Sequence, residues 1–260
     1  MGRILLEFPA APEALPTRII ESGRYRVGFA RTEEQLDALL RLRYRVFNLE
    51  LGEGLDEAHR TGRDEDAFDR HFHHLMIESR DGEAVGTYRL QTSEMAESAA
   101  GFYAAGLFDL GEMPASVLAG AVEVGRACVA RPHRNGRVLN LLWKGLAAYL
   151  TWNRKTRLFG CCSLTSQEPA LGLAVHRHLE TTGSVHESIR VLPRRENACV
   201  ADPDGSLPPP HIPALFQAYL TLGARVLGPP AIDREFRTID WLVLLDVEEL
   251  PAATFRSFFR

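Results

Sequence analysis

The stretch from residue 121 to residue 153 constrains the fold more than any other part of the chain. An apolar run over 121–130 has the length and composition of a buried strand, yet it carries an acid, Glu123, and a base, Arg126. A loop bearing arginines and a glycine follows, and residues 137–153 then predict a long amphipathic helix. Backbone N–H groups at a helix start, beside arginines, suit a phosphate-bearing ligand. The stretch therefore predicts a strand–loop–helix unit with a ligand site at the loop.

The remaining hydrophobic periodicity predicts a mixture of strands and helices. Predicted strands lie at 24–30, 74–78, 84–91 and 157–164, with a late strand around Trp241, Val243 and Leu245. Predicted helices run from the capping box Thr32-Glu-Glu-Gln35 to about Leu51, and over 137–153, 168–180 and 213–223. Asp81-Gly82 predicts a hairpin turn. Hairpins followed by a β-α-β unit indicate an α+β (mixed α/β) fold.

Composition narrows the class of protein. The chain has 260 residues, 45% of them apolar and 25% charged, as in an ordinary globular protein. The net charge of −4 argues against a nucleic-acid partner. No apolar run reaches the roughly 18 residues of a membrane span or resembles a signal peptide, so a cytoplasmic location is predicted. The four cysteines and the histidines fit no disulfide or zinc spacing, and no metal site is predicted.

Arg43 interrupts the apolar face of the first predicted helix. Leu36, Leu40, Arg43 and Phe47 follow one another at spacings of four, three and four residues, so the arginine shares a face with three apolar side chains. One interpretation is an arginine that snorkels to the edge of the core. The other is an arginine directed inward toward carboxylates, and Asp64, Asp66 and Asp69 follow it in the chain. We favour an ion-paired wall of a site; a solvated acidic loop and a purely architectural network are the alternatives. Arg89, on the second hairpin strand, either caps the end of that strand or enters the same cluster.

Glu123 and Arg126 fall on opposite faces if the central strand alternates strictly. Gly125 lies between them, and a glycine within a strand often marks a bulge, which would direct both side chains to one cleft. A buried glutamate in an apolar strand can be tuned to accept a proton, so we predict Glu123 as a general base. We also predict an oxyanion site formed by the backbone N–H groups beside the bulge, those of Ala127, Cys128 and Val129.

Together these motifs resemble those of a known enzyme family. Their order is Arg43-x-x-x-Phe47, Asp66-x-x-Asp69, Gly86-Thr-Tyr-Arg89 and Glu123-x-x-Arg126. This order resembles the pattern of acyl-homoserine-lactone synthases and N-acyl amino acid synthases. The similarity is closer to the ornithine-lipid N-acyltransferases, often labelled hemolysin-like. It includes the stretch from Glu123-Val-Gly-Arg-Ala-Cys-Val129 to Phe159-Gly-Cys161, and a tail with Pro230-x-x-Asp233 and Phe236-x-x-x-Asp240.

The resemblance implies a GNAT-like acyltransferase fold, with a bulged central mixed sheet flanked by helices. It implies an N-acyltransferase core at 23–200 and a C-terminal extension at 201–260 packed on that core. Residues 1–22, which contain Pro9, Pro12 and Pro16, are predicted from their composition to be a loosely structured lead-in. Within the extension, the segment 203–210 is expected to be a loop. The implied enzyme moves a 3-hydroxyacyl group from acyl carrier protein to the amine of an amino acid, with ornithine favoured and glycine as an alternative.

Each candidate residue has a role in this scheme. Glu123 is the base. The acceptor pocket and its ion-pair network consist of Arg43, Phe47, Asp66, Asp69, Arg89 and Arg126. The pantetheine phosphate is expected at the helix start, held by Arg134, Gly136 and Arg137. No cofactor is expected to bind tightly; acyl carrier protein is the co-substrate through its 4′-phosphopantetheine thioester, and acyl-coenzyme A is the alternative donor.

Other functions are open at this stage. A lipid product implies transient contact with the membrane surface, so a peripheral position on the inner membrane face is an alternative location. A signal synthase that acylates and lactonises S-adenosylmethionine is a second hypothesis. A non-catalytic module that binds acyl carrier protein is a third.

Overall fold

The computed structural model describes residues 8–200 and 211–259. The strands within these ranges are β1 (Ile20–Ser22), β2 (Tyr25–Phe29), β3 (His73–Ser79), β4 (Ala84–Thr92), β5 (Ala121–Val129), β6 (Arg157–Leu164), β7 (Arg225–Val226), β8 (Ala231–Asp233) and β9 (Thr238–Asp246). The helices are α1 (Glu33–Tyr44), α2 (Ala58–Thr61), α3 (Ser93–Ser98), α4 (Ala115–Ala119), α5 (Gly136–Asn153), α6 (Pro169–Thr181), α7 (Ala214–Thr221) and α8 (Ala252–Phe259). A π-helix, Arg45–Leu51, continues α1, and Tyr103–Gly106 forms a short 3-10 helix.

The chain folds into two compact units. Among the described residues, the first unit comprises 8–101, 124–155 and 252–259, and the second comprises 102–123, 156–200 and 211–251. Strand β5 contributes its first three residues to the second unit and the rest to the first.

The first unit is built on antiparallel strands in the order β1-β2-β3-β4, with β5 next to β4. Helix α5 packs on β2, β3 and β4, because its apolar face, including Leu142 and Leu146, is buried there. Gly145 permits this close approach, since a Cβ at this position would lie 2.4 Å from Leu75 Cδ1. Helix α8 packs on α5, and the rings of Phe258 and Trp143 stack with their centroids 5.5 Å apart.

The second unit has the strand order β5-β6-β9-β7, and β8 also pairs with β9. Strands β5 and β6 are parallel and bring Glu123 opposite Phe159, whereas β9 is antiparallel to β6, β7 and β8. The core beneath these strands includes Phe108, Phe159 and Leu242, each no more than 1% exposed. Phe102 packs edge-on against the ring of Phe159 at a centroid distance of 5.3 Å.

Most of the predicted elements are confirmed. The strand predicted at 157–164 has those bounds, and the hairpin, the central strand and the long helix agree within one or two residues. Thr32 caps α1 by accepting a hydrogen bond from the Gln35 backbone N–H at 3.3 Å. Gly82, in the predicted hairpin turn, has a φ of 81°, which favours glycine. The β5-α5-β6 unit is the predicted parallel crossover.

The loosely structured lead-in was predicted to reach residue 22, and this is wrong for its last residues. Ile20–Ser22 forms strand β1, which pairs with β2 through a turn at Gly23. Three residues are too few to show strand periodicity, so the pairing was not visible in the sequence. The acidic, glycine-bearing stretch 52–72 has the composition of a loop, yet it also contains a short helix, α2. Residues 1–7 and the loop predicted at 203–210 lie outside the described residues.

Candidate functional site

Arg43 points into the first unit, as its place on the apolar helix face indicated. Its side chain is fully buried. Its Nε donates to Asp64 Oδ2 at 2.7 Å, while Nη1 and Nη2 donate to the two carboxylate oxygens of Asp69 at 2.6 and 3.1 Å. A bidentate arginine–aspartate pair fixes both groups in orientation. The snorkelling interpretation of Arg43 is therefore wrong.

Two further arginines extend these contacts into one network. Arg89 Nη1 donates to Asp66 Oδ1 at 2.6 Å and to Asp69 Oδ1 at 3.0 Å. Arg126 Nη2 donates to Asp66 Oδ2 at 3.2 Å, and its Nε lies 3.4 Å from Asp64 Oδ2. The network thus balances three guanidinium groups with three carboxylates. A substrate carboxylate would have to compete with these aspartates for any of the three arginines.

In this network burial and ion pairing shift the pKa values of Arg43, Asp66 and Asp69 in opposite directions, and the effect of ion pairing is the larger. Burial alone would raise the pKa of Asp69, but the Arg43 and Arg89 guanidinium groups outweigh it and hold that pKa well below its usual range. The pKa of Asp66 is lowered in the same way, mainly by Arg89. Burial lowers the pKa of Arg43, yet Asp64 and Asp69 together raise it above its ordinary value. Asp66, Asp69 and Arg43 therefore stay ionised across the physiological pH range.

Arg126 has a left-handed backbone, with a φ of 47°. This conformation is uncommon for residues other than glycine. The sequence predicted the irregularity of β5 at Gly125, but among the described residues of the strand the positive φ falls on Arg126. The ion pairs of Arg126 with Asp64 and Asp66 hold the side chain, and strained backbone of this kind persists when its surroundings fix it.

Phe47 lies one helical turn beyond Arg43, on the π-helix, and is 6% exposed. Cys128, on β5, is also buried, and burial raises the pKa of its thiol to about 12. This thiol therefore stays protonated near neutral pH and is a poor nucleophile. The oxyanion site formed by the backbone N–H groups of Ala127, Cys128 and Val129 stays a prediction.

The start of α5 combines a capped helix with exposed arginines. Asn135 is the N-cap, and its side chain accepts the Val138 backbone N–H at 3.1 Å. The preceding N–H groups, those of Gly136 and Arg137, have no intrahelical acceptor by helix geometry. Arg137 is exposed, and its guanidinium lies against Gly23.

Arg134 is held by two partners. Its Nε donates to the Val129 carbonyl oxygen at 2.9 Å, and its Nη2 donates to Glu50 Oε2 at 2.9 Å. Glu50 was not predicted, because it lies on the helical segment 84 residues before Arg134 and no local spacing links the two. A phosphate that binds Arg134 would share it with this carboxylate.

Glu123 belongs to the second unit and is 2% exposed. Its Oε2 accepts the Tyr103 backbone N–H at 3.0 Å, and its Oε1 accepts the Ala104 backbone N–H at 2.7 Å. The carboxylate thus caps the first turn of the 3-10 helix Tyr103–Gly106. These two bonds fix the orientation of the carboxylate. Tyr103 was not predicted, since it occurs in a stretch without clear periodicity.

No group of three or more metal-ligating side chains occurs within residues 8–200 and 211–259.

The sequence is similar to curated acyltransferases over most of its length. An L-ornithine N(alpha)-acyltransferase of Rhizobium meliloti (strain 1021) is 33% identical over 246 residues, covering 85% of this chain and 79% of that relative. One from Brucella abortus (strain 2308) is 32% identical over 246 residues, covering 88% of this chain and 87% of that relative. The chain belongs to the L-ornithine N(alpha)-acyltransferase family. As a member of this family it is an acyltransferase, which confirms the predicted enzyme class.

An acetyltransferase (GNAT) domain matches residues 42–144 of this acyltransferase, which confirms the predicted fold class. All candidate site residues, from Arg43 to Arg137, lie within that match. Among solved structures, the N-acyl amino acid synthase FeeM from uncultured soil microbes is 13% identical with a TM-score of 0.47. That comparison covers 90% of this chain and 94% of FeeM.

Proposed function

We propose that this acyltransferase forms an amide between a fatty acyl group and the amine of L-ornithine, as a step of ornithine-lipid synthesis. The proposal is supported by four curated relatives, 31–33% identical over 85–91% of the chain, each named L-ornithine N(alpha)-acyltransferase. The proposed donor is a 3-hydroxyacyl thioester of acyl carrier protein.

The reaction needs a base. An ammonium group has no lone pair, so the amine must lose a proton before or during attack on the thioester carbonyl. The C–N bond then forms, the C–S bond breaks, and the departing thiolate takes up a proton to become the free thiol. General-base catalysis of such a step is typically worth about 10²- to 10⁴-fold in rate.

The position of Glu123 is the observation that carries this mechanism. It is a buried carboxylate with both oxygens fixed by backbone N–H groups, so its orientation is preorganised. Removing the amine proton is its proposed role, directly or through a water molecule. The ion-pair network is proposed to shape the acceptor pocket, with Arg43 and its aspartates as a rigid wall.

The donor is proposed to dock at the start of α5. Carrier proteins are acidic, and Arg131, Arg134 and Arg137 are exposed around this helix start. Complementary charge of this kind speeds encounter and fixes orientation. The same site would also accept the phosphates of acyl-coenzyme A, so the two donors need a direct comparison.

The product is proposed to reach the membrane by transient surface contact. Among the described residues, no helix combines the length and hydropathy that crossing a bilayer requires.

The first test is mass spectrometry of lipids from a bacterial host that lacks aminolipids and expresses this protein. We expect a new lipid with the mass of an N-(3-hydroxyacyl) ornithine. An N-acyl glycine would change the acceptor, and homoserine lactones in the medium would replace the proposal by the signal-synthase hypothesis. The purified enzyme, assayed with matched acyl carrier protein and acyl-coenzyme A thioesters, then identifies the donor through the ratio of the two kcat/KM values.

The second test is Glu123→Gln, which keeps the shape of the side chain but removes the basic carboxylate. We expect kcat to fall by about 10²- to 10⁴-fold while donor binding is retained. Glu112→Gln is the matched control, because Glu112 is an exposed carboxylate of the same unit. Unchanged turnover in Glu123→Gln would remove Glu123 from the mechanism.

A further inference from the structure

Tyr103 forms hydrogen bonds with two acidic residues of the second unit that are far apart in sequence. Its backbone N–H donates to Glu123 Oε2 at 3.0 Å. Its phenol Oη–H donates to Asp233 Oδ2, also at 3.0 Å, across 130 residues of sequence. Tyr103 therefore links the candidate base to a carboxylate that no motif had assigned a role.

Asp233 is itself firmly held. It is 6% exposed, and its Oδ1 accepts the Phe236 backbone N–H at 2.8 Å. It ends β8, opposite Thr238 of β9. Gln167 Nε2 lies 3.0 Å from both the Asp233 and the Thr238 carbonyl oxygens and closes this hairpin from the side. The Oδ2 atom that faces Tyr103 is thus fixed by backbone and side-chain contacts.

The bond to Asp233 anchors Tyr103 through its side chain. Tyr103 opens a 3-10 helix of only four residues, and such short helices have poorer internal hydrogen bonds than α-helices. A bond from the tyrosine hydroxyl to a carboxylate is charge-assisted, which makes it stronger than a bond between neutral groups. The bond to Asp233 therefore restrains the ring, and the ring restrains the N–H that orients Glu123.

We infer that Asp233 and the Tyr103 hydroxyl are positioning residues for Glu123, and that they set the orientation of its carboxylate in the acyl transfer. This inference rests on the proposed function. Neither group needs to touch the substrate, because both act through the Tyr103 backbone N–H. A displacement of about 1 Å at a reacting group can cost about 10²-fold in rate, so loss of the anchor should be visible in turnover.

The test is a double-mutant cycle between Tyr103→Phe and Glu123→Gln. Tyr103→Phe removes only the hydroxyl and leaves the ring and the backbone N–H in place. In the enzyme that retains Glu123, we expect kcat to fall about 10-fold or more, with the KM values of both substrates little changed. In the Glu123→Gln background, the same substitution should change the residual rate by less than about 2-fold, because coupled residues are not additive.

Asp233→Asn provides a second route to the same result. The asparagine can still accept the Phe236 N–H, so the hairpin is kept while the charge beside Tyr103 is lost. We expect a fall in kcat like that of Tyr103→Phe, and no further fall when the two are combined. Tyr149→Phe is the control for loss of a buried hydroxyl, since Tyr149 binds His73 and Met95 in the first unit and its loss should leave kcat unchanged.

The outcomes distinguish failure of the positioning role from failure of the proposed function. An unchanged kcat in Tyr103→Phe, or an equal loss in both backgrounds, would overturn the positioning role while leaving the proposed function intact. Absence of any N-acyl amino acid from the wild-type enzyme would overturn the proposed function, and the inference with it. Circular dichroism spectra that match the wild type show that a loss of kcat does not come from unfolding.

Discussion

Asp69 is the residue on which the buried ion pairs of the first unit converge. It accepts bonds from Arg43 and Arg89, and its Oδ2 also accepts the Asp66 backbone N–H at 2.8 Å. Asp69→Asn keeps the shape of the side chain but leaves two buried guanidinium groups short of one negative charge. Breaking a buried pair in this way typically costs about 3–5 kcal/mol. We expect a loss of that size in the free energy of unfolding, measured by urea denaturation.

An exposed ion pair supplies the comparison for Asp69. Glu21 lies 3.7 Å from Arg26, with both side chains more than half exposed. Surface pairs of this kind contribute about 0–1 kcal/mol, so Glu21→Gln should leave the free energy of unfolding nearly unchanged. If Asp69→Asn cost no more than Glu21→Gln, the network would not be a stabilising scaffold.

Some site residues could be predicted one at a time, because each breaks the hydrophobic pattern of its own sequence neighbours. Arg43 was visible because a charge on an apolar helix face violates a 3.6-residue period, and Glu123 because an acid interrupts an apolar strand. Glu50 and Asp233 had no such signal, since each acts on a residue more than 80 positions away. The partner of a side chain is a property of the tertiary fold, which one sequence does not show.

At the scale of elements, the connection between β7 and β8 depends on a glycine. A Cβ on Gly228 would lie 2.1 Å from the Val191 carbonyl oxygen, and the Val191 N–H donates to the Leu227 carbonyl at 2.7 Å. A backbone atom cannot rotate away as a side chain can. We expect Gly228→Ala to lower the free energy of unfolding by about 3 kcal/mol, the upper end of the usual cost of overpacking.

The control for Gly228 is a glycine with space around it. On β2, a Cβ at Gly28 would meet only Ile19 Cγ1, at 3.9 Å, which is ordinary van der Waals contact. Gly28→Ala should therefore leave stability unchanged or slightly increased, because alanine restricts the unfolded chain. Equal urea midpoints for the two variants would show that the chain between β7 and β8 can shift without cost.

A helix or strand could be predicted where it is long enough for its residues to show hydrophobic periodicity. Helix α5 and strand β6 meet that condition, and their predicted bounds agree with the structure within a residue. The short strands β1, β7 and β8 do not, because two or three residues show no alternation and form only by pairing with longer neighbours. The π-helix after α1 was also invisible, since its residues continue the helical pattern and differ only in hydrogen bonding.

At the scale of the whole molecule, the folded chain should bind fewer protons than the unfolded chain at mildly acidic pH. Burial lowers the pKa of His73 to about 4 and that of His74 to about 4, against an ordinary value of 6.5. His73 Nε2 donates to the Ala10 carbonyl at 2.6 Å, and His74 Nε2 donates to the Asp69 carbonyl at 2.8 Å. These carbonyl acceptors by themselves would raise the pKa of each ring, but burial outweighs them, so both rings are neutral near pH 7.

The two histidines make stability fall with falling pH. Between pH 6.5 and pH 4 the unfolded chain binds protons at both positions, while the folded chain does not, so acid favours unfolding. Each additional proton that the unfolded chain binds lowers the free energy of unfolding by about 1.4 kcal/mol for every unit that the pH falls. His176, whose pKa burial also lowers, acts in the same direction. The pKa values of Asp66, Asp69 and Glu94 are also lowered, but these carboxylates affect stability only below about pH 4. Above that pH, carboxylates are ionised in the unfolded chain as well as in the folded one.

Urea denaturation at pH 7.5, 6.0 and 5.0 measures this slope, and His74→Gln assigns part of it. A glutamine amide can donate to the Asp69 carbonyl in place of His74 Nε2, but it does not titrate. Between pH 6.0 and 5.0 we therefore expect the free energy of unfolding of the variant to fall less steeply than that of the wild type. The difference in slope corresponds to about one proton, or about 1.4 kcal/mol per pH unit. A slope equal to that of the wild type would mean that His74 accepts a proton in the folded state, and that the ring beside Asp69 can be charged without unfolding the protein.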